Sequence, residues 1–182
     1  MSRPAMILFL VLLAVMEGCC RPQGMLPVNV CVGNIQQVDG FRKLDFKDEE
    51  LLRVASGQPG RGGLCIGEVF VVGKPLTVYR VWGRSKTNSD KGRWWSLEPP
   101  KGNLASWQAL NDVCPEWNPA DVVSKCELEK DTIVVLGTGQ SATCNNGTFP
   151  PSPVNQLYIP NHLVVKGQDY VDKCQEISWP DR

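Results

Sequence analysis

Histidine is nearly absent from this chain. His162 stands alone, and none of the eight cysteines forms a C-x-x-C pair, which argues against a zinc site of the usual Cys/His kind; no metal is expected. The lone histidine has no serine or cysteine partner identifiable in the sequence, so a hydrolase triad is not supported; it reads as a strand-end or surface residue. Charge of one sign is lacking too. Nineteen basic and nineteen acidic residues cancel, which argues against nonspecific attraction to nucleic acid or to a membrane surface. No internal repeat is present. The only long apolar run, residues 6–16 (MILFLVLLAVM), is shorter than the ~20 residues that a helix needs to cross ~30 Å of hydrocarbon.

That run follows Arg3, and Gly18 and Cys20 supply small residues at −3 and −1 of a cut before Arg21. Residues 1–20 therefore read as a signal peptide and 21–182 as a single secreted domain, monomeric, with no membrane span. The cut would remove one charge of each sign and Cys19 and Cys20. Cys31, Cys65, Cys114, Cys126, Cys144 and Cys174 remain, an even number that in a secreted chain implies up to three disulfides among fifteen pairings. Asn146-Gly147-Thr148 is an N-glycosylation sequon in a Gly/Pro-rich stretch, consistent with an exposed loop.

Residues 21–40 read as a lead-in with one short strand, anchored by Cys31. Phe41 to Ala55 has the spacing of a short helix. Gly57 to Gly63 is a breaker cluster; a phosphate-cradling loop there is disfavoured because no P-loop Lys-Ser/Thr follows. Strands are expected at Ile66–Val72, Leu76–Trp82, Val122–Leu128, Thr132–Leu136, Val154–Ile159 and Leu163–Val165. A second helix is expected at Leu104–Val113, and a long loop from Gly137 to Pro153. A helix-bearing first half and a strand-rich second half give an α+β class, with short mixed sheets and one or two helices.

The richest stretch is Val78 to Pro100, VYRVWGRSKTNSDKGRWWSLEPP. A strand ends on Arg80-Val81-Trp82, a polar loop follows, and Arg93-Trp94-Trp95-Ser96 closes it. Two readings fit: a hairpin whose aromatics cap the core, or a ligand cleft offering a cation, a hydroxyl and flat rings. Strand register decides which of the two tryptophans faces such a cleft.

Three pieces occur in order here: Val78-Tyr79-Arg80, Gly92-Arg93-Trp94-Trp95-Ser96 followed by Pro99, and Asn155-Gln156-Leu157-Tyr158. That order, over about residues 76–165, resembles the ADP-ribosyltransferase-like toxin domains of secreted polymorphic toxins and the NAD glycohydrolases of the necrotizing-toxin type. The resemblance implies a small ADP-ribosyltransferase-like fold with NAD as substrate and no permanently bound cofactor. It assigns Arg80 to the NAD phosphates and Trp94, Trp95 and Ser96 to the nicotinamide side. Gln156 takes the late position that contacts the nicotinamide ribose, so Arg80 and Gln156 are the candidate catalytic residues. An arginine fork suits a diphosphate better than a lysine point charge.

Many transferases of that group carry a glutamate at the late position, and Asn155 to Tyr158 contain no acid. An amide can orient ribose hydroxyls but cannot neutralise an oxocarbenium ion by charge. The departure favours hydrolysis of the nicotinamide–ribose bond over mono-ADP-ribosylation of a protein or nucleic-acid acceptor, the second reading. A non-catalytic secreted module using the aromatic cleft is the third. An acid folded up against Gln156, with Glu98 the nearest candidate in sequence, would favour the enzyme. A cleft blocked by the 137–153 loop would favour the module.

Overall fold

The computed structural model describes residues 30–45, 48–85, 90–161 and 168–179. The expected signal segment, His162 and the expected strand at 163–165 lie outside these residues. Among the described residues, ten strands and two short helices run in the order β1 (Phe41–Lys43), α1 (Glu49–Ala55), β2 (Leu64–Val72), β3 (Leu76–Trp82), β4 (Trp94–Trp95), α2 (Leu104–Leu110), β5 (Val122–Leu128), β6 (Ile133–Gly139), β7 (Ala142–Cys144), β8 (Gly147–Phe149), β9 (Ser152–Tyr158) and β10 (Val171–Ile177). The class is α+β, stabilised by three disulfides: Cys31–Cys65, Cys114–Cys144 and Cys126–Cys174.

Alternation along the strands builds the layers. In β6, Val134 and Leu136 face one side and Val135 the other; in β9, Leu157 and Tyr158 divide in the same way. Val134, Leu136 and Leu157 meet Val78 of β3, Leu128 of β5 and Val171 of β10 in the main core, between a five-stranded sheet (β1-β2-β6-β9-β4) and a three-stranded sheet (β10-β5-β3). On the far face of the larger sheet, Val135 and Tyr158 pack on Leu51 and Ala55 of α1. On the far face of the smaller one, Val81 and Val123 pack on Trp107 of α2. The order is helix, sheet, sheet, helix. All strand pairings are antiparallel rather than mixed.

The two sheets share one short segment. Trp94 and Trp95 pair with Tyr158 and Leu157 of β9. One residue later, Ser96 exchanges two backbone hydrogen bonds of 2.8 Å with Tyr79 of β3. The segment thus leaves one ladder and joins the other.

Two local expectations are corrected, and a third is tested only over its described part. Phe41–Ala55 is not one helix: Phe41 lies in a strand, 5.7 Å from the Phe70 ring, and α1 starts only where the Asp48 side chain accepts from the Leu51 amide at 2.9 Å. Of the lead-in expected over 21–40, residues 21–29 lie outside the described residues; 30–40 hold no strand, and Cys31 anchors the segment to Cys65 in β2. The stretch 137–153 is not a long loop, because β6 continues to Gly139 and β7 and β8 form a hairpin around an exposed Asn145-Asn146 turn. The sequon asparagine, Asn146, thus sits on a solvent-exposed tip.

Candidate functional site

The cleft has a volume of about 270 Å³ and is walled by five of the six tryptophans: Trp82, Trp94, Trp95, Trp107 and Trp117. Arg80, Ser96 and Gln156 also line it, so the residues expected to contact NAD lie around one hollow.

Register answers which tryptophan faces Gln156. Trp94 pairs with Tyr158, and Gln156 lies two residues before Tyr158, so the three share a face of the sheet. The Trp94 ring meets Tyr158 edge-on, with centroids 5.1 Å apart. Trp95 points the other way, into the core; it is 2% exposed and its indole N–H donates to the Gly92 carbonyl at 2.7 Å.

Arg80 is placed by its strand and by Gly92. A side-chain carbon on Gly92 would lie 2.1 Å from Arg80 Nη2, so only glycine lets the guanidinium settle there. Nη1 donates to the Trp94 carbonyl at 2.7 Å, and the guanidinium carbon sits 5.9 Å from the Trp95 ring centre. Burial lowers its pKa to about 10, with the Asp90 charge opposing. Buried Asn161 fixes the same turn: its amide nitrogen donates to the Lys91 and Gly92 carbonyls, and its oxygen accepts from the Tyr170 amide. Arg80 therefore lines the cleft while holding Trp94 and Trp95 in position.

Gln156, 8% exposed, donates its side-chain amide to the Asn111 carbonyl at 2.9 Å. Ser152, at the other end of β9, donates its hydroxyl to the Leu110 carbonyl at 2.6 Å. Two residues of β9 thus satisfy carbonyls at the C-terminal end of α2, where intrahelical donors have run out. Ser96 contributes through its backbone, as the bridge to Tyr79.

The clamp on α2 presents a residue that the sequence reading missed. Asp112 follows the helix in a left-handed conformation (φ 54°), is 3% exposed and lines the cleft. No side chain hydrogen-bonds either carboxyl oxygen, and the one contact is a weak one from the Ser152 amide. A side-chain carbon on Gly139 would lie 2.0 Å from Asp112 Oδ2 and 3.0 Å from Gln156 Nε2, which puts acid and amide within about 5 Å of one another. Burial raises the Asp112 pKa to about 7, and the nearby Ser152 amide offsets this only in part. The acid beside Gln156 is thus Asp112. Glu98 is exposed and pairs with Lys101 at 3.2 Å.

The remaining wall is the Gly57–Gly63 turn. The Gly57, Gly60, Arg61 and Gly62 amides all donate to acceptors within the protein, so these four are committed and do not form a phosphate cradle. Gly60, Gly62 and Gly63 take positive φ there. Arg61, Gly62 and Gly63, with Trp94, also line a shallower neighbouring depression at the end of α1, so Arg61 stands at the junction of two connected hollows. No residue of the 137–153 stretch lines the cleft, so that stretch does not block it.

Comparison with known proteins decides little. The chain matches no protein-family model, no curated protein and no solved structure. These comparisons thus identify no ADP-ribosyltransferase-like domain, and that expectation rests on the sequence motifs alone.

Among the described residues, no helix is long and apolar enough to cross a membrane. The one cluster there with metal-ligand chemistry, Cys114, Glu116 and Cys144, has both sulfurs in a disulfide, and Glu116 accepts from the Asn145 amide.

Proposed function

We propose that this protein is a secreted NAD-consuming enzyme that breaks the nicotinamide–ribose bond and delivers ADP-ribose to water. The observation that carries the reading is the convergence on one aromatic cleft of Arg80, Trp94, Ser96 and Gln156, with the Asp112 carboxyl beside the amide. The chemistry is dissociative. The bond from the anomeric carbon to the ring nitrogen breaks, and its electron pair neutralises the pyridinium. Water adds to the carbon, and its proton leaves for the carboxylate and then solvent. Gln156 Oε1, with the amide nitrogen already committed to Asn111, orients a ribose hydroxyl. Arg80 and Arg61 supply positive charge for the diphosphate, and Trp94 walls the nicotinamide. Catalysis on this scheme rests on positioning and electrostatics and needs no covalent nucleophile. Three disulfides and an exposed sequon are consistent with an oxidising compartment.

The experiment is direct: incubate the purified full-length protein with NAD and candidate acceptor proteins, and quantify free nicotinamide, free ADP-ribose and labelled protein. Nicotinamide and ADP-ribose released in equal amounts support hydrolysis, whereas label on protein with little free ADP-ribose moves the reading to mono-ADP-ribosylation. One observation favours a non-catalytic module: Arg80 and Gln156 both have scaffold duties, toward Trp94 and Asn111. NAD binding without nicotinamide release would select it.

A further inference from the structure

We propose that the cleft receives a flat organic cation, an N-alkylated pyridinium ring, with Asp112 as its counter-ion. The inference rests on the NAD reading for the kind of ring; the positive charge follows from the cleft itself. Buried polar groups in folded proteins are nearly always partnered, because stripping water from them without a replacement costs several kcal/mol. Asp112 has at most a weak contact with the Ser152 amide, and no side chain meets either oxygen, so the partner that completes it is one that a ligand brings. The walls agree. Indole rings attract cations through their faces, and Trp94, Trp107 and Trp117 line the same hollow.

The placement of the acid has structural costs. Asp112 adopts a left-handed backbone, Gly139 lacks the carbon that would occupy the space of Oδ2, and the Cys114–Cys144 disulfide fixes the segment two residues on. Strain and close approach of this kind persist where the surrounding structure enforces them. The other ionisable groups around the acid are few. α2, β6 and β4 carry no ionisable side chain, and β9 carries only Tyr158. Tyr79, Arg61 and Arg80 line the cleft without hydrogen-bonding the carboxyl, and Glu116 is turned to the Asn145 amide. With its pKa near 7, Asp112 ionises readily when a cation arrives. A neutral ring, whether free nicotinamide or the dihydropyridine of a reduced dinucleotide, gains nothing from that charge.

The test compares 1-methylnicotinamide, a permanent cation, with neutral nicotinamide by calorimetry, in wild type and Asp112→Asn at pH 8 and in wild type at pH 5.5. Wild type is expected to favour the cation by about tenfold or more at pH 8, with the preference largely lost at pH 5.5. Asp112→Asn should bind the two within about twofold. Should that variant misfold by circular dichroism, the wild-type pH comparison still decides. Equal binding of the two rings by wild type, no binding of either, a preference unchanged by pH, or a preference kept by Asp112→Asn would each overturn the inference. Turnover of NAD measured alongside separates the two proposals. A cation preference without turnover keeps this inference and removes the enzymatic reading, and turnover without a cation preference does the reverse.

Discussion

Replacing Asp112 by asparagine should make the protein more stable at neutral and alkaline pH. The unfolded carboxyl titrates near 3.8, and in the fold burial moves it to about 7. Between these values the folded protein holds a proton that the unfolded chain has released. Stability therefore falls as pH rises through that window, and the loss is complete above about 7. One pKa unit corresponds to ~1.4 kcal/mol, so a shift of about three units sets a ceiling of about 4 kcal/mol. Relaxation of the fold around the charged acid offsets part of it, leaving roughly 2 kcal/mol. Asparagine removes the charge and suits a left-handed φ at least as well. The measurement is urea denaturation of wild type and Asp112→Asn at pH 5 and pH 8. The variant should lead by about 0.7 kcal/mol at pH 5, where part of the window is already crossed, and by about 2 kcal/mol at pH 8. Parallel losses between the two pH values would refute a buried, unpartnered acid at this position. Taking the difference cancels groups such as Asp39 and Glu50, whose lowered pKa values come mainly from hydrogen bonds to Lys74 and Arg53 and are common to both proteins.

Three further outcomes are expected. Gly139→Ala would drive a methyl into Asp112 and Gln156, costing about 2 kcal/mol in denaturation and cutting cation binding; a variant with wild-type stability and binding would contradict the close approach. Arg80→Lys should lower stability by about 1–3 kcal/mol as well as any NAD turnover, since lysine cannot both donate to the Trp94 carbonyl and lie against Trp95 as a planar fork. Replacing both Cys114 and Cys144 by serine opens a link across 30 residues and should cost about 3–4 kcal/mol, or roughly 10 °C in melting temperature.

The strands were legible where β-branched runs had clear ends: Leu76–Trp82 and Val122–Leu128 form with the expected limits. Phe41 carried a misleading signal, because leucines at helical spacing continue a pattern that tertiary pairing with β2 interrupts. The β7–β8 hairpin was hidden by glycine and proline around it, residues that mark turns as readily as loops. Of the site, Arg80, Trp94, Ser96 and Gln156 could be nominated from local wording. Asp112 could not, since its chemistry comes from burial and from Gly139 and Gln156, which lie 27 and 44 positions further along the chain. In the sequence it stood inside the helix expected over Leu104–Val113, which in the fold ends at Leu110, and two residues before a cysteine.

The hand-over at Ser96 bears on solubility. A strand left unpaired along one side is a template for another copy of the same chain. β9 and β3 would each present such a side, and both are long and rich in apolar residues. Residues 94–96 cover part of each in turn, so one short segment shields two sheets from self-association. At the opposite edges of these two sheets stand β1, three residues long, and β10, with Asp172, Lys173, Gln175 and Glu176 exposed and Cys174 bonded to Cys126. Neither is an inviting surface for a stacking neighbour. Unpicking Ser96 from Tyr79 would therefore show first as concentration-dependent clumping, before any loss of helix or strand.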